Sequence, residues 1–291
     1  MHLVNRKRVA IVVGILPAFT MYAVFAIFPI MHSFYYALMN WDGFSNMTFV
    51  GLDNFKKLFQ EPLFWNSVKN NIYVVLASVL GQVPIALFIA LLLNRKLKGA
   101  RIFRTVGFLP VVLSTVIISL TWSLIYNSQN GMLNGLLRTI GLEGLAQNWL
   151  GDTRWALMAV LVTIIWQFVG LYLIIFLAAL QNIPEEILEV AKIDGASEWV
   201  TTWKITVPMI WDTIIVAVML CISGSLKTFD LIYVMTKGGP AHSTEVMALY
   251  MFNETFNKLN YGYGSAVSVC IFIFSLILIL MVTKLFGRKM M

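Results

Sequence analysis

Five stretches of this chain carry no Asp, Glu, Lys or Arg: Val9–Trp41, Asn70–Asn94, Thr105–Leu137, Trp155–Pro184 and Leu259–Thr283. A sixth, Ile205–Leu226, holds a single charge, Asp212. About 20 apolar residues in helical form reach across a bilayer core. Lipid offers the backbone no partners, so each crossing must pair its own N–H and C=O groups within a helix. Composition agrees: 59% of the 291 residues are hydrophobic and 12% are charged, against roughly 25% charged in a soluble domain. A water-soluble globule could not hide that much apolar surface. Disorder is excluded too, because it needs low hydrophobicity and high charge. The expected fold is an all-α membrane protein with six transmembrane helices, near 9–31, 71–93, 105–126, 156–180, 209–229 and 265–286.

Charge placement orients these spans. With the N-terminus in the cytoplasm, thirteen lysines and arginines fall on inner segments, among them Arg6-Lys7-Arg8, Arg95, Lys96, Lys98, Arg101 and Arg104. Eight fall on the longer outer segments. The excess of positive charge inside places both termini in the cytoplasm. A net charge of +7 therefore reads as topology and attraction to anionic lipid, with no nucleic-acid partner. Arg6-Lys7-Arg8 ahead of an apolar run also resembles a secretory leader. No small-residue cleavage site follows, so the first helix is expected to stay in place. Cys221 and Cys270 lie inside apolar stretches and are read as small core residues.

Residues 1–69 form a first span and outer loop, and residues 70–286 the remaining core. Pro62 suits the start of a short surface helix running into the second span. Gly238-Gly239-Pro240 marks a turn. The segment between spans four and five, 181–208, is long for a connector in a bundle. It concentrates five of the 14 acidic residues, Glu185, Glu186, Glu189, Asp194 and Glu198. Pro184 suits a first helical position, and the acids after it favour the positive helix end. Ile187, Val190, Ala191 and Asp194 then share one face, and Gly195 supplies a stop. A second short helix leads to Pro208. A helix, a glycine bend and a helix outside the membrane suit a docked backbone, although a solvated connector would also fit.

That segment resembles the signature loop of ATP-binding-cassette importer permeases: Glu-Ala-Ala, three residues, Gly, nine residues, Ile, one residue, Leu-Pro. Here it reads Glu189-Val190-Ala191, Gly195, Ile205 and Val207-Pro208. Val190 and Val207 are conservative departures. Phe49–Phe55, Leu92-Leu93-Asn94-Arg95, Trp149-Leu150-Gly151-Asp152 and Ser225–Asp230 are similar to the carbohydrate-uptake group of maltose and multiple-sugar type. The resemblance implies the type I importer permease fold, in a bacterial cytoplasmic (inner) membrane. It implies a coupling role for Glu185, Glu189, Ala191, Asp194, Gly195 and Ala196. The implied partners are two cytoplasmic ATPase subunits, a second permease, related but distinct, and an extracytoplasmic solute-binding protein. ATP and Mg would be bound by the ATPase, with no cofactor in this chain.

The chemistry of the residues is consistent with a transport subunit rather than an enzyme. The chain has no GxxxxGK[ST] phosphate loop and no GxSxG elbow. His2, His32 and His242 have no ligand spacing, so neither catalytic residues nor a metal site is expected. An ion-coupled carrier usually keeps carboxylates or histidines at mid-membrane, and these spans are nearly free of them. Sugars are held by hydrogen bonds and aromatic faces. Trp166, Gln167 and Tyr172 in span four, and Ser223 and Ser225 in span five, are the candidates, with Trp122 and Tyr126 in span three. Lys227 and Asp230, three residues apart, are expected to pair on one helix face as an anchor or a polar gate. Aromatics near span ends also serve as interfacial anchors, and serines also pack helix to helix. A related solute such as a polyol, glycerol phosphate or modified sugar would fit the same pattern.

Overall fold

The fold comes from a computed structural model that describes residues 14–94 and 99–286. Arg6-Lys7-Arg8, Arg95, Lys96, Lys98 and the extreme termini lie outside the described residues, and with them the expected start of the first helix and the placement of both termini. The chain is predominantly helical, and it divides into two compact units.

The first unit spans residues up to Glu61 together with Met251–Phe272. Its leading helix, α1 (Gly14–Tyr36), has no buried residue within its apolar window. Phe19, Met21, Phe25 and Phe28 all point outward. A helix apolar all round needs lipid or another chain as its surroundings. A two-residue ribbon follows, β1 (Met39–Asn40) antiparallel to β2 (Thr48–Phe49), with Met39 opposite Phe49. Asp42 shapes its turn: its carboxylate accepts from the amides of Phe44 and Ser45 and from the Ser45 hydroxyl. The amide bond from Ser45, the largest influence, helps hold the carboxyl down at about 2. Helix α2 (Asp53–Gln60) buries Asn54 and Leu58. Asn54 Nδ2 donates to the carbonyls of Ala37 (2.9 Å) and Met39 (2.8 Å). Asn54→Ala leaves both carbonyls without that partner, so it is expected to lower stability by about 2 kcal/mol. Thermal unfolding of the detergent-solubilised protein reads this directly. Unchanged unfolding would mean water replaces the amide.

The second unit spans Pro62–Tyr250 and residues from Ile273 onward. Helix α3 (Pro62–Leu93) starts at the expected proline but runs unbroken for 32 residues, about 48 Å at 1.5 Å per residue. That is longer than the roughly 30 Å hydrocarbon core is thick, and its first turns carry Asn66, Lys69, Asn70 and Asn71. There Asn66 and Asn70 donate to the carbonyls of His242 (2.7 Å) and Glu245 (2.8 Å), and Asn71 accepts from the Met247 amide (2.7 Å). These bonds fasten the turn that contains Gly238-Gly239-Pro240. Helix α7 (Ala156–Gln181) packs along α3 and along α10 (Trp211–Leu226). Ala86 and Ala90 of α3, Phe176 and Leu177 of α7 and Ala217 of α10 share one core cluster. Without a hydrophobic force between helices in lipid, small residues that let backbones approach supply the packing.

Two of the expected spans are not straight. Helix α4 (Ala100–Val112) meets α5 (Thr115–Ile125) at 99°, and α9 (Glu198–Met209) meets α10 at 65°. Pro110 removes a backbone donor inside α4, and Leu113 and Ser114 beyond it are extended. In α9 a widened π-type turn at Thr202–Thr206 precedes Pro208, a usual source of a kink. Among the described residues, four helices are long and apolar enough to cross a membrane unaided: α1, α3, α7 and α13 (Tyr261–Phe286). The number reaches six if each bent pair is one crossing. The fifth expected span also ends sooner than 229. Helix α10 stops at Leu226, and a short helix α11 (Asp230–Met235) follows.

Candidate functional site

Two places in the second unit gather the candidate residues. The first is the acidic bend. Helix α8 (Glu185–Ile193) begins after Pro184 with Glu185 and Glu186 in its first turn, where they favour the positive helix end. It closes in a Schellman motif. The Ala196 amide donates to the Ala191 carbonyl (2.9 Å) and the Gly195 amide to the Lys192 carbonyl (3.1 Å). Gly195 takes φ +76° to allow this, a conformation costly for any side chain. Ser197 then caps α9, its hydroxyl accepting from the Val200 amide. Ala191 is buried and works as the packing point of α8. Glu185, Glu189, Asp194 and Gly195 are exposed, and Ala196 is half-buried.

Apolar groups are exposed beside these acids. Ile193 is 84% exposed and Trp199 73%, far more than a solvated connector needs. Ile187, Val190, Ala191 and Asp194 share a face and, with Ile205, line a shallow cleft between α8 and α9. A bend presenting exposed apolar side chains beside several carboxylates is a surface suited to a protein partner.

The second place is a cavity of about 320 Å³. Five helices and one break line it: Gln82 of α3, Thr115 at the head of α5, Tyr172 of α7, Ser225 of α10, Asp230 at the start of α11, and the Lys227–Phe229 break before it. Of the sequence candidates, Tyr172, Ser225, Lys227 and Asp230 come together here. Gln167 stands behind the lining, its Nε2 donating to Thr115 Oγ1 at 3.1 Å. Trp166 and Ser223 are not on the lining. Trp166 is half-exposed and meets Trp122 edge-on, with centroids 5.3 Å apart. Tyr126 is buried, its hydroxyl donating to the Ala159 carbonyl at 3.1 Å. Lys227 and Asp230 do not share a helix face, because α10 ends between them: Lys227 caps α10 and Asp230 opens α11. Both still border the cavity.

Two lining groups escaped the sequence reading. Gln82 is buried in α3, its Nε2 donating to the Ile164 carbonyl, and the Cys221 thiol donates to its Oε1. A glutamine inside an apolar run was a signal available for it. Thr115 carried none, since its place depends on where the α4–α5 break falls. Among the described residues no three of His, Cys, Asp or Glu stand close enough to hold a metal ion. The cavity can therefore offer hydroxyls, amides, one aromatic hydroxyl and opposite charges at its edge, which is the chemistry of binding a polar solute.

Residues 82–291 match the family described as binding-protein-dependent transport system inner membrane component. The chain is 36% identical to a probable ABC transporter permease protein of Pyrococcus horikoshii over 271 residues, covering 93% of each. It is 34% identical to the multiple sugar-binding transport system permease protein MsmF of Streptococcus mutans, covering 86% of each. In fold it is similar to a chain of a bacterial ABC transporter involved in the import of the acidic polysaccharide alginate. That likeness has a TM-score of 0.85, 24% identity and 99% coverage of both chains.

Proposed function

Since the chain belongs to the binding-protein-dependent transport system inner membrane component family, and is a multi-pass membrane permease of such an importer, we propose that it carries a sugar or closely related polyhydroxyl solute through the cavity beside Tyr172 and Ser225. The sugar-transport permease of S. mutans, similar over most of both chains, supports the substrate class. The acidic bend at 181–208 is the contact to a separate cytoplasmic ATPase. Each bent pair counts as one crossing, making six, with both termini in the cytoplasm of a bacterial inner membrane. A second permease, a related but different chain, completes the path, and a solute-binding protein delivers cargo from outside. ATP and Mg reside on the ATPase.

The observation that carries this reading is the meeting of polar groups from α3, α5, α7 and α10 around one space inside an otherwise apolar bundle. Buried polar groups at membrane depth are costly, and a solute pathway accounts for them. The bend follows α7 and leads through α9 into α10. Movement of a partner gripping α8 is thereby passed to two of the helices that wall the cavity.

Thr228 lines the cavity and is half-buried. In membranes carrying the whole importer, Thr228→Cys is expected to react with a small cationic methanethiosulfonate in at least one nucleotide state. Phe44→Cys, at an 82% exposed position, is the reactive control. A control that labels while position 228 stays silent in every state would remove the cavity from the pathway.

A further inference from the structure

The break between α4 and α5 does more than bend a span. It brings the N-terminus of an eleven-residue helix to the cavity wall, with its first residue, Thr115, on the lining. First-turn amides of a helix have no acceptor within the helix, and Ser114 at the cap position makes no side-chain capping bond. A second feature meets this end. Gln167 of α7, 1% exposed, donates from Nε2 to Thr115 Oγ1 at 3.1 Å, while its Oε1 has no hydrogen-bond partner. Burying an amide with one end bare is unfavourable, so the side chain is not placed there for packing alone. The bond has a direction. Because Thr115 Oγ1 accepts from the amide, its own proton is free to point elsewhere, and the open side is the cavity.

We infer that Thr115 donates a hydrogen bond to an oxygen of the transported solute, and that Gln167 is a positioning residue holding that hydroxyl with its proton toward the cavity. This rests on the cavity being the solute path. The positive end of α5 and the Thr115 proton both seek an acceptor, and an oxygen of a polyhydroxyl solute supplies one.

The test measures uptake of radiolabelled maltose, lactose, trehalose and raffinose singly in cells bearing the complete importer, and takes the best-transported sugar as probe. Thr115→Val, which keeps the shape and loses the hydroxyl, is expected to raise KM about five- to tenfold, the scale of one lost hydrogen bond, with the maximal rate within twofold. Thr115→Ser restores KM to within twofold. Gln167→Met raises KM less, and the double variant Thr115→Val/Gln167→Met is no worse than Thr115→Val, because the amide acts through the hydroxyl. An unchanged KM in Thr115→Val, or no rescue by serine, overturns the role of Thr115. Additive losses in the double variant overturn the role of Gln167. If Thr228→Cys labels normally in those cases, the pathway reading survives without this inference. If Thr228→Cys is silent, both fall. Thr115→Cys labelling provides a readout for poorly expressed variants or for the case where none of the four sugars moves: reaction with the methanethiosulfonate supports the placement, and silence overturns it.

Discussion

Gly195→Glu is expected to reduce solute uptake more than tenfold while the protein still reaches the membrane in normal amounts. Position 195 sits at φ +76°, and a Cβ there meets no atom within 4 Å. The fold itself thus has room for a side chain. The intramolecular penalty is the left-handed backbone, about 1–2 kcal/mol for a residue other than glycine. That is a local cost, borne at the end of α8. The larger loss would come from the surface. A glutamate at the bend adds length and a further negative charge where the amides of Gly195 and Ala196 turn back to Lys192 and Ala191, on the face proposed to be gripped by the ATPase. Gly195→Ala separates the two effects, since it carries the backbone strain without the bulk or charge, and it is expected to keep most uptake. Normal uptake by a well-expressed Gly195→Glu protein would exclude the bend from coupling. Equal losses in both variants would point to strain instead of docking.

Gly170→Val is expected to be strongly destabilising, costing about 3 kcal/mol or more. Gly170 of α7 lies against the backbone of Gly107 in α4. An added Cβ would fall 2.0 Å from the Gly107 carbonyl oxygen and 2.8 Å from its carbon. Both obstacles are backbone, so neither can swing aside, and the helices themselves must separate. Separation would be felt directly above, where α4 breaks and α5 begins, and so at Thr115. The thermal midpoint in detergent is expected to fall by at least about 6 °C for a unit of this size, with less protein recovered from membranes. Gly135→Ala is the control. That glycine lies within the short helix Met132–Thr139 and a Cβ there meets nothing within 4 Å, so alanine is expected to be neutral or stabilising by up to about 1 kcal/mol. A midpoint for Gly170→Val matching that of the control would mean the α4–α7 crossing is looser than the geometry indicates.

The acidic bend and the cavity were legible in the sequence to different degrees. The bend depends on neighbours in the chain. Pro184, the run of acids, Gly195 and Ser197 each act within a few residues, through φ preference, helix-end charge and capping, so their order alone indicates helix, stop and helix. The cavity depends on residues brought together from 82, 115, 172, 225 and 230. Polarity inside an apolar run pointed to Tyr172 and Ser225, and the same criterion applied to α3 would have pointed to Gln82. It could not separate Gln167, which stands one layer behind the lining, or Trp166, which faces Trp122.

The sequence by itself determined that this chain needs lipid, because its charge-free runs are long enough to span and too apolar for water. It determined the acidic bend as well, because glycine and proline act on the backbone where they stand. Tertiary structure alone decided which helices stay whole. The breaks at Leu113–Ser114, at Ile210 and after Leu226 arise where a missing donor or an extended residue meets the packing of α3, α7 and α10, and hydropathy averages over such points. It also decided which polar side chains converge, since a helix presents its faces according to the neighbours it packs against, and composition carries no record of them.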